Sequence, residues 1–279
     1  MHADETRWLV GIGKKSDKKY QNNYAWMFLG ADGDILVKSY IGTLVRDSVS
    51  KIIGEYLGII VCDGEDHYDH YNTIQKGGLA RCNAHARRKF DQALSADKKT
   101  ASFVLKLYGV VYRREALIAE LKRRHLEKTG EPLPDEEVVR LRKRSRWLLG
   151  HLQTLCQKLV REGLPMSPIT KAAKYFLRLF THLTLFCSDA RLPIDNNPVE
   201  RIIRKFVIGR KAWLFSAFKE GAESSAIIYS LVLTCLHNDI PVFDYLNDVI
   251  HRIVVGGETD YPALLPRAWN AAQLALIEN

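Results

Sequence analysis

Residues 22–42 read NNYAWMFLGADGDILVKSYIG, and this stretch decides the class of the fold. An aromatic and aliphatic run and a second β-rich run flank the turn ADGD at 31–34, a pattern typical of a β-hairpin. Before the hairpin, MHADETRWLVGIGK (1–14) predicts a strand that starts at the second residue. After it, SVSKIIGEY (48–56) places apolar residues at the i, i+3, i+4, i+7 spacing of an amphipathic helix. The sequence therefore opens with a strand, a hairpin and a helix.

Two further segments add strands before the strand signals stop. GIIVCDG (58–64) is a short, continuous apolar run and predicts a buried strand that ends at Asp63. GLARCNAHARRKFDQAL (78–94) predicts a short strand that leads into a helix. From about residue 100 the pattern is helical, and a break at TGEPLPD (129–135) predicts an antiparallel helical hairpin.

The order of these segments predicts an α/β fold in three regions. Residues 1–99 form the first part of a core with a mixed sheet flanked by helices. Residues 100–187 form a large all-helical insertion. Residues 188–279 complete the core and add C-terminal helices.

The charge balance favours a polyanionic partner. The chain has 41 Lys and Arg against 32 Asp and Glu, a net charge of +9 and a pI near 9.2. The sequence contains neither a signal-peptide pattern nor an apolar run long enough to span a membrane. The five cysteines are scattered, which argues against a disulfide framework. We expect a soluble protein of a reducing compartment that binds nucleic acid.

Three acids lie at or near predicted strand and helix ends: Asp4, Asp63 and Glu200. Two Mg²⁺ ions about 4 Å apart can align a nucleophile and a leaving oxygen across a phosphodiester. Because Mg²⁺ prefers hard oxygen ligands, three carboxylates predict a site for two Mg²⁺ or Mn²⁺ ions. A purely structural interpretation also fits, with Asn197 as N-cap, Pro198 at the first position and Glu200 in a capping box. Spacing alone leaves both interpretations open.

Two basic segments are candidates for contacts with DNA phosphates. They comprise His85, Arg87, Arg88 and Lys89, and then Arg201, Arg204, Lys205, Arg210 and Lys211. For the first segment, a merely solvated basic face is an equally good interpretation. The helices that contain RREALIAELKRRH (113–125) and RLRKRSR (140–146) have the same two interpretations, and their cation excess favours DNA.

Polar residues near the acids are candidates for the outer coordination sphere of the metal ions. Asp66 belongs either to that sphere or to a solvated loop. Asp195 either caps a helix or contacts metal-bound water, and the cap is favoured. Asn196 and Asn197 join this candidate group. Trp213 lies on an apolar stretch, so we predict core packing for it rather than stacking on a base.

Five segments carry a resemblance to a known family: HADET (2–6), CDGEDHY (62–68), CNAHARRKF (82–90), PIDNNPVERIIRKFVIGRKAWLF (193–215) and GAESSAIIYSLVLTCLHNDIPVFDYL (221–246). Together they resemble the DDE domain of the insertion-sequence-66 transposase family, in the same order along the chain. The resemblance implies a ribonuclease H-like fold with the helical insertion between the second and third catalytic acids. It also implies metal-dependent DNA strand cleavage and joining, with Asp4, Asp63 and Glu200 as the acidic triad.

The chain departs from the family pattern in two ways. Family members are longer and have N-terminal segments for DNA recognition and zinc binding. We therefore expect a catalytic-domain fragment, a truncated product or one piece of a split enzyme. In AWLFSAFKEGA (212–222), the family's Asn before the Trp and Gly-Ser after the Phe are missing. Two alternatives to an active transposase follow: a catalytically incompetent DNA-binding remnant or regulator, and a related ribonuclease H-like nuclease.

The resemblance also implies the partners and the compartment. The expected partners are DNA at the transposon ends and at the target, further copies of the chain assembled on DNA, and accessory proteins of the same element. A membrane is not expected among them. The expected location is the bacterial cytoplasm, in association with the nucleoid.

Overall fold

The computed structural model describes residues 1–11, 20–41, 44, 48–54, 56–69, 71 and 78–277. Residues 12–14 of the first predicted strand and Glu55 of the first predicted helix lie outside these ranges. The described residues form two compact units, one of residues 1–45 with 198–279 and one of residues 46–197.

The strands are β1 (His2–Gly11), β2 (Tyr20–Leu29), β3 (Ile35–Ile41), β4 (Ile59–Cys62), β5 (Gly78–Arg81) and β6 (Phe215–Ser216). The helices are α1 (Ser48–Ile53), α2 (Asn83–Gln92), α3 (Lys98–Thr129), α4 (Asp135–Glu162), α5 (Pro168–Leu183), α6 (Asn197–Trp213), α7 (Lys219–His237), α8 (Val242–Val254) and α9 (Pro266–Ile277). Short 3-10 turns lie at Asp66–Tyr68, Leu185–Cys187 and Tyr261–Leu264. Among the described residues, no helix combines the length and the apolar character needed to cross a membrane.

The first unit contains a mixed sheet covered by helices, as the sequence predicts. β1, β2 and β3 are antiparallel neighbours, with Asp4 opposite Met27, and β6 runs parallel to β1 at Leu9 and Val10. Side chains at period two along β1–β3 pack on α6 and α7 in one apolar core. On β3, the outward N–H groups of Ile35 and Val37 donate to hydroxyls of α7, so the helix protects this strand edge.

Trp213 belongs to the core of this unit. Its ring lies 5.5 Å from that of Trp8 and 5.7 Å from that of Phe206, measured between centroids. Its indole N–H donates to the hydroxyl of Tyr229 at 3.1 Å. The prediction of core packing for Trp213 is therefore confirmed.

The second unit combines two parallel strands, β4 and β5, with α1–α5. Its core lies between the helices and includes the edge-to-face pair of Phe90 and Phe176, 6.4 Å apart. Helices α3 and α4 flank the predicted break, and Arg114 of α3 donates to the carbonyl of Leu141 of α4 at 2.8 Å. Their arrangement as an antiparallel hairpin stays a prediction. Helix α3 ends at Gly130, whose φ of 73° is a left-handed conformation that glycine adopts without strain. The predicted bounds 1–99, 100–187 and 188–279 stay a prediction.

Asp97 stabilises the start of α3. Its carboxylate accepts a hydrogen bond from the backbone N–H of Thr100 at 3.0 Å. Hydrogen bonding to the Thr100 hydroxyl, and after it to this N–H, lowers the pKa of the Asp97 carboxyl. A lowered pKa means that the contribution is present above the ordinary pKa of 3.8 and is lost as the pH falls through the folded-state value. We expect Asp97→Ala to lower the free energy of unfolding by about 1 kcal/mol at neutral pH. Asp97→Asn, which keeps a capping oxygen, is expected to change it by less. Urea unfolding at neutral and acidic pH checks this, and an Ala effect that does not shrink in acid would contradict it.

Candidate active site

Asp4 lies on the face of β1 that contacts helix α6. Side chains alternate along a strand, so Asp4 shares this face with Thr6 and Trp8. Trp8 packs edge-on against Phe206 of α6, with 5.4 Å between the ring centroids. The Asp4 carboxylate is half-buried and accepts a hydrogen bond from the N–H of Glu5 at 2.9 Å. The strand thus fixes the first candidate acid on the helix-covered side of its sheet.

Glu200 lies in the first turn of α6. Val199, Ile202 and Phe206 form the buried stripe of this helix, and Glu200 lies one residue beyond Val199, on the flank of the stripe. Its side chain is accordingly half-buried. Both acids of the first unit therefore lie at the margins of an apolar core, where a carboxylate is held in place by its element.

The start of α6 is fixed by Asp195 and Asn196. The Asp195 carboxylate accepts from the backbone N–H of Asn197 at 3.1 Å and from its side-chain amide at 2.8 Å. The backbone N–H of Asn196 donates to the thiol sulfur of Cys82 at 3.2 Å. The N–H groups of the first turn have no acceptor within the helix, and Pro198 has no N–H at all. Asp195 supplies the acceptor for the N–H of Asn197, which would otherwise need water. These bonds favour the capping interpretation of Asp195, which stays a prediction.

The cations after Glu200 occupy two environments. Arg201, Arg204, Lys205 and Lys211 are exposed on the outer face of α6. Arg210 is half-buried, and its guanidinium donates to the hydroxyl of Thr6 at 3.1 Å. Four of the five predicted cations are thus open to solvent, and the fifth ties α6 to β1.

Asp63 directly follows β4, as predicted, and begins a tightly bonded loop. Its carboxylate accepts from the N–H of Glu65 at 3.0 Å. Its carbonyl accepts from the guanidinium of Arg81, which also bonds the carboxylate of Asp69. Arg81 is 2% exposed and its guanidinium lies 5.7 Å from the centre of the Tyr68 ring. Arg81 therefore holds the loop that begins with Asp63. The sequence did not single out this role, although a charged residue at the end of an apolar strand could have indicated it.

Asp66, a candidate for the outer coordination sphere, is exposed and pairs with Arg178 at 2.8 Å. Arg178 also donates to the carbonyl of Gly64 at 2.9 Å. The charge of Asp66 is therefore compensated by a residue of α5, and this pair reinforces the loop after β4.

The first basic segment lies on α2. Arg87, Arg88 and Lys89 are exposed, and the ammonium of Lys89 lies 5.5 Å from the centre of the Tyr175 ring. His85 is half-buried on the same helix. The segment thus presents its three permanent charges to solvent.

An open pocket of about 280 Å³ joins two of the predicted groups within the second unit. Arg87 and Asn197 line it together with Tyr112, which the sequence did not single out. Burial, and after it the charge of Asp195, raises the pKa of Tyr112. Its phenol therefore stays neutral at physiological pH and can act as a hydrogen-bond donor in this pocket.

Comparison with known proteins identifies the family. The model of the transposase IS66 family matches residues 1–224. The chain belongs to the IS66 transposase family. The matched range includes Asp4, Asp63 and Glu200, and it ends within α7. The resemblance drawn from the sequence motifs is confirmed.

This member of the IS66 family also matches curated proteins of Sinorhizobium fredii (strain NBRC 101917 / NGR234). It is 29% identical to uncharacterized protein y4jD over 80% of the chain and 43% of the relative. It is 30% identical to uncharacterized protein y4qI over 80% of the chain and 41% of the relative, and 27% identical to y4hP over 71% and 36%. The IS66 chain thus spans about two fifths of the length of these relatives.

Proposed function

We propose that the chain is the catalytic part of a DNA transposase with a ribonuclease H-like core. It cleaves a DNA strand at the end of an insertion sequence and joins the freed 3′ end to target DNA. Asp4, Asp63 and Glu200 are the acidic residues of this reaction. Family membership supports the proposal, and so does the position of each acid at the end or margin of a core element. Action on the bacterial nucleoid, assembly on DNA and help from accessory proteins belong to the same proposal.

The observation that carries the proposal concerns the purely structural alternative for Glu200. In a capping box, the glutamate accepts a hydrogen bond from a backbone N–H at the helix start. The two candidate donors are the N–H groups of Asn196 and Asn197, and they bond Cys82 and Asp195. Both N–H groups therefore have acceptors other than Glu200, so the start of α6 does not depend on a carboxylate at position 200.

The donor set fits a hard divalent cation. Three carboxylates supply the oxygen ligands that Mg²⁺ and Mn²⁺ prefer. Such ions, when bound, polarise the phosphate and lower the pKa of water. The chain itself contributes rigid placement: β1 holds Asp4, Arg81 holds the loop of Asp63, and α6 holds Glu200.

The exposed cations supply contacts with the DNA backbone. Arg201, Arg204, Lys205 and Lys211 lie on the same helix as Glu200, and a helix rises only about 1.5 Å per residue. Phosphates bound by Arg201, Arg204 and Lys205 therefore pass within about 8 Å of Glu200 along the helix axis, and Lys211 extends this path to about 16 Å. Arg87, Arg88 and Lys89 offer a second set of phosphate contacts on α2.

The test is strand cleavage of a labelled duplex carrying an insertion-sequence end. We expect cleavage with Mg²⁺ or Mn²⁺ and none with EDTA. Glu200→Gln keeps the shape of the side chain and removes its charge, so we expect it to abolish cleavage and to leave folding and DNA binding unchanged. Glu220→Gln is the matched control, since Glu220 is an exposed glutamate in the first turn of α7.

The outcomes of this cleavage assay distinguish a transposase from a nuclease and from a DNA-binding remnant. Cleavage by wild type and Glu220→Gln but not by Glu200→Gln, followed by joining to target DNA, supports the transposase. Cleavage without joining favours a nuclease. DNA binding without metal-dependent cleavage by any variant would show a remnant that binds DNA without chemistry. Cleavage by Glu200→Gln at the wild-type rate would remove Glu200 from the site.

A further inference from the structure

The positive charge of the chain is concentrated in residues 138–188. This stretch contains ten Lys and Arg and one carboxylate, Glu162, a net charge of +9 that equals the net charge of all 279 residues. The ten cations are Arg140, Arg142, Lys143, Arg144, Arg146, Lys158, Arg161, Lys171, Lys174 and Arg178. The stretch covers most of α4 and all of α5. Over their full lengths, which include Asp135, Glu136 and Glu137 in the first turn of α4, these two helices carry a net charge of +6 and therefore attract a polyanion.

Several of these cations are engaged within the second unit. Arg142 is buried, Arg140 pairs with Glu137, Arg178 pairs with Asp66, and both Lys158 and Arg161 pair with Glu162. The remaining cations are exposed and make no ion pair with a carboxylate of the described ranges: Lys143, Arg144, Arg146, Lys171 and Lys174. Three of these five cations, Lys143, Arg144 and Arg146, lie within four residues of one another on α4.

Trp147 stands among these three cations and is exposed. It is 48% exposed, although tryptophan is usually well buried. The guanidinium of Arg144 lies 4.0 Å from the centre of its ring, and the ring of His151 lies 3.9 Å away at an angle of 48°. These residues recur at i, i+3 and i+7, so they form one stripe, which we call the Trp147 stripe, on the side of α4 away from buried Leu149 and Leu152.

Helix stabilisation does not account for the Trp147 stripe. A pair such as Arg144 and Trp147 at an exposed site contributes little, and alanine or leucine there would be a better helix former. A protein partner would have to be strongly acidic to face cations that lack carboxylate neighbours. Arg144 and Arg146 contact the rings of Trp147 and Phe180, at 4.0 and 4.8 Å from the ring centres, and keep their charges without a carboxylate partner among the described residues. An exposed aromatic ring among such cations is the combination that binds single-stranded nucleic acid, with bases on the ring and phosphates on the cations.

We propose that the Trp147 stripe binds DNA at an unpaired base. The base stacks on the exposed part of the indole, next to the guanidinium of Arg144, and Lys143 and Arg146 contact the flanking phosphates. An indole on a helix surface reaches the face of a base only when that base has left the duplex stack. The surface therefore selects single-stranded or locally opened DNA. This inference rests on the proposed function for its choice of DNA, and it does not involve the three acids.

The test is the affinity of the full chain for a labelled oligonucleotide, measured by fluorescence anisotropy in EDTA, as a single strand and as a duplex. We expect Trp147→Ala to weaken single-strand binding roughly 5- to 150-fold, the range of one base–aromatic stack. Duplex binding is expected to change less than about twofold. Trp147→Phe should retain most of the affinity. Phe103→Ala, at another exposed aromatic of the second unit, is the matched control and should change neither.

A second variant separates charge from stacking. Arg144→Ala is expected to weaken both DNA forms and to reduce the salt dependence by about 0.7 in the single-strand slope. Unchanged single-strand affinity in Trp147→Ala, or equal losses for both DNA forms, would overturn the proposal. A change in oligomeric state in place of the affinity loss would overturn it too and would identify a protein contact. Because EDTA is present, these results are independent of strand cleavage, which the Glu200 variant tests separately.

Discussion

Asp63→Asn is expected to reduce metal-dependent DNA cleavage by at least about 100-fold, since a bound divalent ion supplies several kcal/mol of transition-state stabilisation. The substitution removes the charge and leaves the loop intact. An asparagine side-chain oxygen can still accept from the N–H of Glu65, which lies 3.0 Å from the Asp63 carboxylate. The backbone carbonyl of residue 63 keeps its bond from Arg81. A loss of activity would therefore report the missing charge and not a displaced loop.

Asp66→Asn is the matched control for this prediction, because it makes the same change three residues along the same loop. Asp66 is exposed and its charge is compensated by Arg178 at 2.8 Å, so we expect cleavage within a few-fold of wild type. The measurement is the initial rate of nicking, with DNA binding in EDTA as a check on folding. Equal losses in the two variants would mean that the loop as a whole matters and would remove the special role of Asp63. Wild-type activity in Asp63→Asn would exclude it from the reaction.

The elements that the sequence predicts well are those whose signals are local. The hairpin of β2 and β3 follows from period two and from the turn at 31–34, both of which lie within one short stretch. The bounds of α3 and α4 follow from long helical periodicity and from the break at 129–135. Asp63 could be located because a continuous apolar run stops immediately before it. Each of these signals is carried by neighbours in the chain.

Contacts between distant residues could not be predicted in this way. β6 contains only two residues, too few for any periodicity, and it forms through pairing with β1 after Leu214 takes a left-handed φ of 62°. Arg210 looks like one more DNA-binding cation, yet its guanidinium meets Thr6, 204 residues away. Arg81 bonds the carbonyl of Asp63 across a loop. A single sequence gives the charge of such residues but not the atoms that surround them.

Arg142 is the clearest such case and gives the largest expected effect on stability. The sequence groups it with the exposed cations of RLRKRSR, whereas the structure buries it to 4% exposure. Its guanidinium bonds the carboxylate of Glu115 at 2.7 and 3.0 Å and donates to the carbonyls of Phe186 and Asp189. One side chain of α4 thereby holds α3 and the turn after α5. For Arg142, the interpretation as a DNA contact is wrong.

Arg142→Met is expected to lower the free energy of unfolding of the second unit by about 3–5 kcal/mol. Methionine fills much of the space, but the Glu115 side chain, 11% exposed, loses its cation, and the two carbonyls lose their donor. A buried charge without a partner is far more costly than the loss of an exposed ion pair. The measurement is urea unfolding followed by far-ultraviolet circular dichroism, which the long helices dominate.

Two further variants give this prediction its control. Arg140→Met removes a neighbouring arginine whose pair with Glu137 is exposed and screened by solvent, so we expect it to change the free energy of unfolding much less than Arg142→Met does. Combining Arg142→Met with Glu115→Gln removes the stranded charge, so the double variant is expected to be more stable than Arg142→Met alone. Equal effects of the Arg140 and Arg142 substitutions would contradict the buried pair. If the double variant is no more stable than Arg142→Met, the unpaired Glu115 carboxylate is not the cause of the destabilisation. The loss would then come from the carbonyls of Phe186 and Asp189, and the main role of Arg142 would be to anchor the turn after α5.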